Sequence, residues 1–225
     1  GRRDKRGNWH KVCDISTLAS GFENCGMEKL VFRFFLGSLI FLVLAFPAAA
    51  DYLAGATAYS DGDYETAHRE YLDGAKDEDP RSEFGLAVMY HTGKGVAKDY
   101  TKAREWYTKA AERGYAKAQN NLGIMYRRGQ GVKRNPREAF TWIWMAAIQG
   151  YTRAEMNLAE MYMQGEGVGK DLIMAYIWFE FAVTDLPPKS RDKAENKRNE
   201  IVSELSEDEV TRAKRLAKGL RDARK

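Results

Sequence analysis

From Ala54 onward the apolar positions of this chain fall at helical spacing, and the pattern itself recurs every 36 residues. Tyr90, Tyr126 and Tyr162 share the step, as do Leu86, Leu122 and Leu158. Gly93, Gly129 and Gly165 follow it, then Gly95, Gly131 and Gly167, then Val96, Val132 and Val168. Ala103, Ala139 and Ala175 match, with Ala67 one unit upstream, and Trp106, Trp142 and Trp178 complete the set. Within a unit, Ala118, Leu122, Met125 and Tyr126 make one apolar stripe, which predicts an amphipathic helix. A G-x-G-V segment ends it, because glycine adopts the positive φ that closes a helix. Asp99, Asn135 and Asp171 then stand where a second helix needs an N-cap. That helix carries Ala103, Trp106, Tyr107 and Ala110 and closes at Gly114; its successor closes at Gly150.

Two helices of this length cannot bury their apolar faces alone, so the repeat predicts stacked hairpins sharing a continuous core. Small residues at Ala87, Gly123 and Ala159 are expected to let paired helices approach, with the tryptophans as core. Upstream, Ala54, Ala58 and Tyr59 precede Gly62-Asp63-Tyr64, then Ala67, Tyr71 and Ala75: a hairpin with a loop about five residues shorter. Downstream of Leu186-Pro187-Pro188 the chain turns polar. Ser206-Glu207-Asp208-Glu209 reads as a capping box, so helices are expected over ~189–204 and ~207–222.

The run Leu86-Ala87-Val88-Met89-Tyr90-His91-Thr92-Gly93-Lys94-Gly95-Val96, continuing through Trp106-Tyr107 to Gly114, resembles the Sel-1-like repeat, a relative of the tetratricopeptide repeat. The second copy departs modestly, at Arg137-Glu138-Ala139 and Trp142-Ile143-Trp144. The third loses its closing glycine to Leu186-Pro187-Pro188. The resemblance covers roughly 80–186 and implies an all-α fold, a right-handed α-solenoid of stacked helical hairpins with a helical C-terminal cap. The division expected is a tetratricopeptide-like repeat at 51–79, Sel-1-like repeats at 80–115 and 116–151, a degenerate one at 152–187, and a charged cap at 188–225.

Ahead of the array, Met27, Lys29 and Arg33 precede an uncharged run from Phe34 to Phe46, then Pro47 and Ala48-Ala49-Ala50. Basic start, short apolar run and small-residue exit are the parts of a secretory signal, expected at 27–50 with cleavage after Ala50. The run is shorter than the ~20 residues of a membrane span. The protein is therefore expected in the periplasm or outside the cell, touching membrane only if the segment stays uncleaved. Residues 1–26 open on Gly1, lack periodicity and are expected to be upstream or non-native sequence.

The net charge of +4 changes little. Seven basic against four acidic residues in the first fifty leave the rest at +1, too weak a field to imply nucleic-acid binding. The exception is the tail, where Arg212, Lys214, Arg215, Lys218, Arg221, Arg224 and Lys225 face only Asp222. Both cysteines, Cys13 and Cys25, precede the array, so it holds no disulfide or thiolate metal site. His68 and His91 lack a second ligand at metal spacing. Ser190-Arg191-Asp192-Lys193 matches S-x-x-K, the serine–lysine pattern of penicillin-binding enzymes, without the other motifs of that chemistry. The repeated G-x-G lacks the strand and third glycine of a dinucleotide site. No catalytic residue, cofactor or metal is expected.

Solenoids of this kind curve, and the first helix of each hairpin lines the concave face. The resemblance to tetratricopeptide repeats implies ligand-facing positions on that helix. In register these are Arg81, Phe84, Val88 and His91, then Lys117, Asn120, Ile124 and Arg127, then Arg153, Met156, Glu160 and Met163. They make a basic edge over an apolar floor, suited to an acidic and hydrophobic segment, with Asn120 offering an amide to a peptide. The expected function is an exported adaptor binding a protein partner there. The alternatives are an envelope enzyme directed at the cell wall or β-lactams, and a membrane-tethered assembly or signalling regulator.

Overall fold

A computed structural model describes residues 47–223, all helix and turn. The helices are α1 (Pro47–Asp61), α2 (Tyr64–Lys76), α3 (Pro80–Thr92), α4 (Tyr100–Glu112) and α5 (Ala116–Arg128). They continue with α6 (Pro136–Ala147), α7 (Thr152–Gln164), α8 (Leu172–Asp185), α9 (Asp192–Glu204) and α10 (Glu207–Asp222), with a 3-10 turn at Pro188–Ser190. Most of the starts have a local cause. Asp63, Asp79, Asp99, Asn135 and Asp171 accept backbone N–H bonds from the first turns of α2, α3, α4, α6 and α8. Ser206 and Glu209 close the capping box on α10. Gly93, Gly129 and Gly165 end α3, α5 and α7 in the left-handed conformation, at φ 77°, 70° and 69°.

The array is all-α and stacks consecutive hairpins: α1 on α2, α3 on α4, α5 on α6 and α7 on α8, each hairpin packing on the next. The α1–α2 connection is only Gly62-Asp63, where α3 and α4 are joined by 93–99. Three apolar clusters follow one another along the stack. The first centres on Tyr71, Leu86 and Met89, the second on Tyr107, Leu122 and Met125, the third on Ile143, Leu158, Met161 and Phe179. Gly123 lets α5 lie against α6, for a methyl there would sit 2.6 Å from Ile143 Cγ1.

The tryptophans do not behave as one set. Trp178 is buried, whereas Trp106 and Trp142 are half-buried on the second helices. Lys109 lies 3.9 Å over the Trp106 ring, and Trp142 donates its indole N–H to Glu138 at 3.2 Å. The difference comes from the helices that succeed each hairpin in the chain: α9 and α10 both pack on α8. The expected signal peptide and the segment before it lie outside the described residues, except that 47–50 form the first turn of α1. Among the described residues no helix is long and apolar enough to cross a membrane.

Candidate functional site

The twelve positions expected to face a partner all lie on α3, α5 and α7, and the structure sorts them by the contacts that already hold them. Lys117 and Arg153 are exposed, in the first turns of α5 and α7. Arg81, their counterpart on α3, is already engaged: its Nε donates to Asp79 at 2.9 Å and its guanidinium lies 5.0 Å over Tyr52. Ile124 is half-buried. Val88 packs on the second core cluster, and Met156 and Met163 on the third, each still partly open. Phe84 meets Tyr115 edge-on at 5.2 Å and Tyr107 at 5.7 Å. His91 stands edge-on to Tyr100 at 5.3 Å, and burial together with Lys98 and Arg128 holds its pKa below the ordinary value.

Asn120 presents no free amide. It is 2 % exposed, donates to Asn121 at 3.2 Å and accepts from Asn157 at 2.8 Å. Asn121 in turn donates to the Tyr107 hydroxyl at 3.1 Å. Burial pushes that phenol up to about 12, against the pull of Asn121, so Tyr107 stays a neutral acceptor. The resulting chain of side chains ties α4, α5 and α7 together. Sequence reasoning missed a second polar set: Glu83, Gln119 and Glu155 are all buried and spaced 36 apart. Glu83 accepts from Arg113 at 3.3 Å, and Gln119 bonds the Ala111 carbonyl at 3.1 Å and Gln149 at 2.7 Å. The signal that could have found them was the repeat register, which places a polar residue inside each apolar stripe.

Arg127 and Glu160 are likewise spoken for. Arg127 donates to Glu166 at 2.6 Å and lies 3.6 Å from Glu160, which also faces Lys193 of α9 at 3.8 Å. Arg134 adds a second bond to Glu166, at 2.6 Å. Burial opposes ionisation of Glu166, but the bonds and charges of Arg127 and Arg134 outweigh it, and its pKa falls below the ordinary 4.5. A carboxylate of this kind stabilises the fold fully above the unfolded value and loses that contribution as pH falls through the folded one. Glu166→Gln is therefore expected to cost about 1 kcal/mol at pH 7. Urea midpoints of the two proteins should converge on acidification below the carboxylate range; a gap that widens instead would refute the assignment.

Among the described residues no group of three or more His, Cys, Asp or Glu side chains converges as a metal site would. What remains open of the twelve on α3, α5 and α7 is two exposed cations, Lys117 and Arg153, and several half-buried apolar side chains.

No curated protein matches the chain in sequence. The chain is similar to a solved Sel1 repeat protein from Oxalobacter formigenes, with 28 % identity and TM-score 0.58, over 71 % of this chain and 74 % of that one. It is similar also to c5321, described as a protective antigen present in uropathogenic Escherichia coli strains displaying an SLR fold. There the identity is 26 % and the TM-score 0.52, over 76 % of this chain but only 44 % of the antigen. The family model of the Sel1 repeat matches residues 80–115, 116–151 and 152–184 in unbroken succession, and these are the hairpins α3–α4, α5–α6 and α7–α8. The chain therefore carries three Sel1 repeats in tandem.

Proposed function

We propose that the protein is an exported adaptor that holds an acidic and apolar segment of a partner protein against α3, α5 and α7. Sel1 repeats are commonly protein-interaction scaffolds, and the reading adds a location and a face to that. The observation that carries it is the pairing of Lys117 and Arg153 at equivalent first-turn positions of adjacent units, both exposed, with Ile124, Met156 and Met163 partly open further along the same helices. Fixed cations one unit apart suit spaced carboxylates, and the open apolar surface suits the side chains between them. Asn120 and Arg127 serve here by holding the helices in register. Export rests on the basic, apolar and small-residue succession from Met27 to Ala50.

The test is quantitative cross-linking of envelope partners to the wild type and to the Lys117→Glu/Arg153→Glu variant. Arg81 is left intact, since reversing it would disturb the Asp79 cap. Capture of a defined partner is expected to fall at least about tenfold, roughly 1.4 kcal/mol, with the melting temperature unchanged. Equal capture by both forms would refute the face. Localisation is checked separately, by the N-terminal residue of the mature protein: Asp51 is expected, and an intact Met27 would refute cleavage.

A further inference from the structure

Equivalent junctions between units are neutralised differently. Where α5 meets α7, Arg127 and Arg134 donate to the two oxygens of Glu166, each at 2.6 Å. Arg127 also lies 3.6 Å from Glu160 and donates to Gln164 at 3.1 Å. Two cations meet two carboxylates there. One unit earlier, 36 residues back, His91 and Lys98 stand in register with the two arginines. Ile124 and Gln130 replace Glu160 and Glu166, and Arg128 replaces Gln164. Cations are kept at this junction and both carboxylates are gone.

The structure brings these residues together around Tyr100. His91 stands edge-on to its ring, and Lys98 Nζ lies 4.7 Å over it. A hydrogen bond with Lys98, helped by the Lys98 charge, Gln130 and Arg128, holds the phenol below its ordinary pKa against the effect of burial. Lys98 and Arg128 also act together on His91. Both cations are exposed, and neither makes an ion pair among the described residues. The local sequence offers them little else. From 113 to 137 the chain has no Asp or Glu, and from 84 to 104 it has only Asp99. That carboxylate caps α4, accepting from the Thr101 and Lys102 N–H groups at 2.9 and 3.0 Å. Gln130 Oε1 and His91 Nδ1 are enclosed with no hydrogen-bond partner among the described residues, so the junction's polar groups are not all satisfied from within.

We propose that this junction, between the ends of α3 and α5, binds a carboxylate carried by a second molecule, in the role that Glu166 fills one unit on. Lys98 and Arg128 supply charge-assisted donors. Gln130, turned so that its Oε1 accepts from the Tyr100 hydroxyl, offers its amide N–H groups as well. The neutral phenol of Tyr100 satisfies hydrogen bonds but cancels no charge. Arg128 lies eleven residues along α5 from Lys117, roughly 16 Å at the helical rise, so this site does not depend on the face proposed above.

The experiment is a titration of the isotope-labelled full chain with sodium acetate at constant ionic strength, followed by nuclear magnetic resonance. Saturable shifts are expected at His91, Lys98, Arg128 and Gln130. Lys98→Gln/Arg128→Gln should weaken acetate binding at least about tenfold. Gln130→Glu supplies the missing carboxylate from within, so it should abolish acetate binding and raise the urea midpoint, the reverse of Glu166→Gln. The Lys117→Glu/Arg153→Glu protein should bind acetate as the wild type does, which keeps failure of that face distinct from failure of this site. Shifts that do not saturate, or that spread equally over other exposed lysines, overturn the proposal. So does a Gln130→Glu protein that binds acetate like the wild type or loses stability. Tighter binding of phosphate than of acetate overturns it in favour of a phosphate site. A capped peptide carrying one Glu, beside its Gln counterpart, distinguishes the source of the carboxylate. Tighter binding of the Glu peptide than of acetate supports a protein segment, equal binding supports a free carboxylate, and equal binding of the two peptides overturns the proposal.

Discussion

Gly131→Ala should lower the melting temperature by ~6–12 °C, about twice the effect of Gly114→Ala. Both glycines have positive φ, 64° and 87°, so each alanine carries the left-handed penalty of roughly 1–2 kcal/mol. The surroundings differ. A methyl at Gly114 meets nothing within 4 Å, while one at Gly131 would run into the backbone carbonyl of Tyr100. Tyr100 opens α4, in the preceding hairpin, so the loop after α5 rests on the start of the helix one unit back. Arg104 strengthens that seat by donating to the Gly131 carbonyl at 3.1 Å. Backbone cannot step aside as a side chain can, and overpacking there adds another 1–3 kcal/mol or so. Gly167, whose methyl would strike the Pro136 carbonyl at the start of α6, should behave like Gly131. Urea and thermal unfolding of the three variants by circular dichroism make the comparison. Equal losses for Gly114 and Gly131 would mean that the second glycine of each G-x-G serves its own turn only and not the junction between units.

That distinction marks where the sequence stops being readable. The register of 36, the N-caps at Asp99, Asn135 and Asp171, and the first glycine of each loop are consequences of local chemistry, and local chemistry is written in adjacent letters. The second glycine answers to a carbonyl about thirty residues earlier, and nothing near it in the chain announces that. Trp106, Trp142 and Trp178 are identical letters in identical register, yet only Trp178 is buried, because α8 is packed by both helices that follow it, α9 and α10, where α4 and α6 are each packed by one. The candidate face shows the same limit. Register placed the twelve positions on the first helix of each hairpin, but pairing decided which remain exposed. Asn120 is lost to Asn157, and Arg127 to Glu166, through bonds between units that no spacing rule within a unit contains. Lys117 and Arg153 stay exposed and make no ion pair among the described residues, which is a fact of three dimensions.

Ile201→Asp is expected to peel the last two helices from the array and make the protein self-associate, while Val202→Asp, one residue on, is expected to do nothing measurable. Helix α8 explains the size of the effect. Ala175, Tyr176, Ile177, Trp178, Phe179, Phe181, Ala182 and Val183 are all buried, so this helix has apolar surface on nearly every side. Helix α7 covers part of it, and the rest is covered by α9 and α10. Ile201 is fully buried in that seat and joined by Ala194, Ala213 and Ala217, whereas Val202 is 37 % exposed. A carboxylate at Ile201 would be buried without a partner, a cost of several kcal/mol, and α9 can relieve it by leaving. The loss of stability is then capped at whatever it takes to detach the cap locally, and the exposed α8 is what a second molecule would find. Light scattering after gel filtration should show Ile201→Asp as dimers or larger species with a lowered urea midpoint, and Val202→Asp as wild type. A monomeric, fully stable Ile201→Asp protein would mean that α9 and α10 contribute nothing to closing the solenoid.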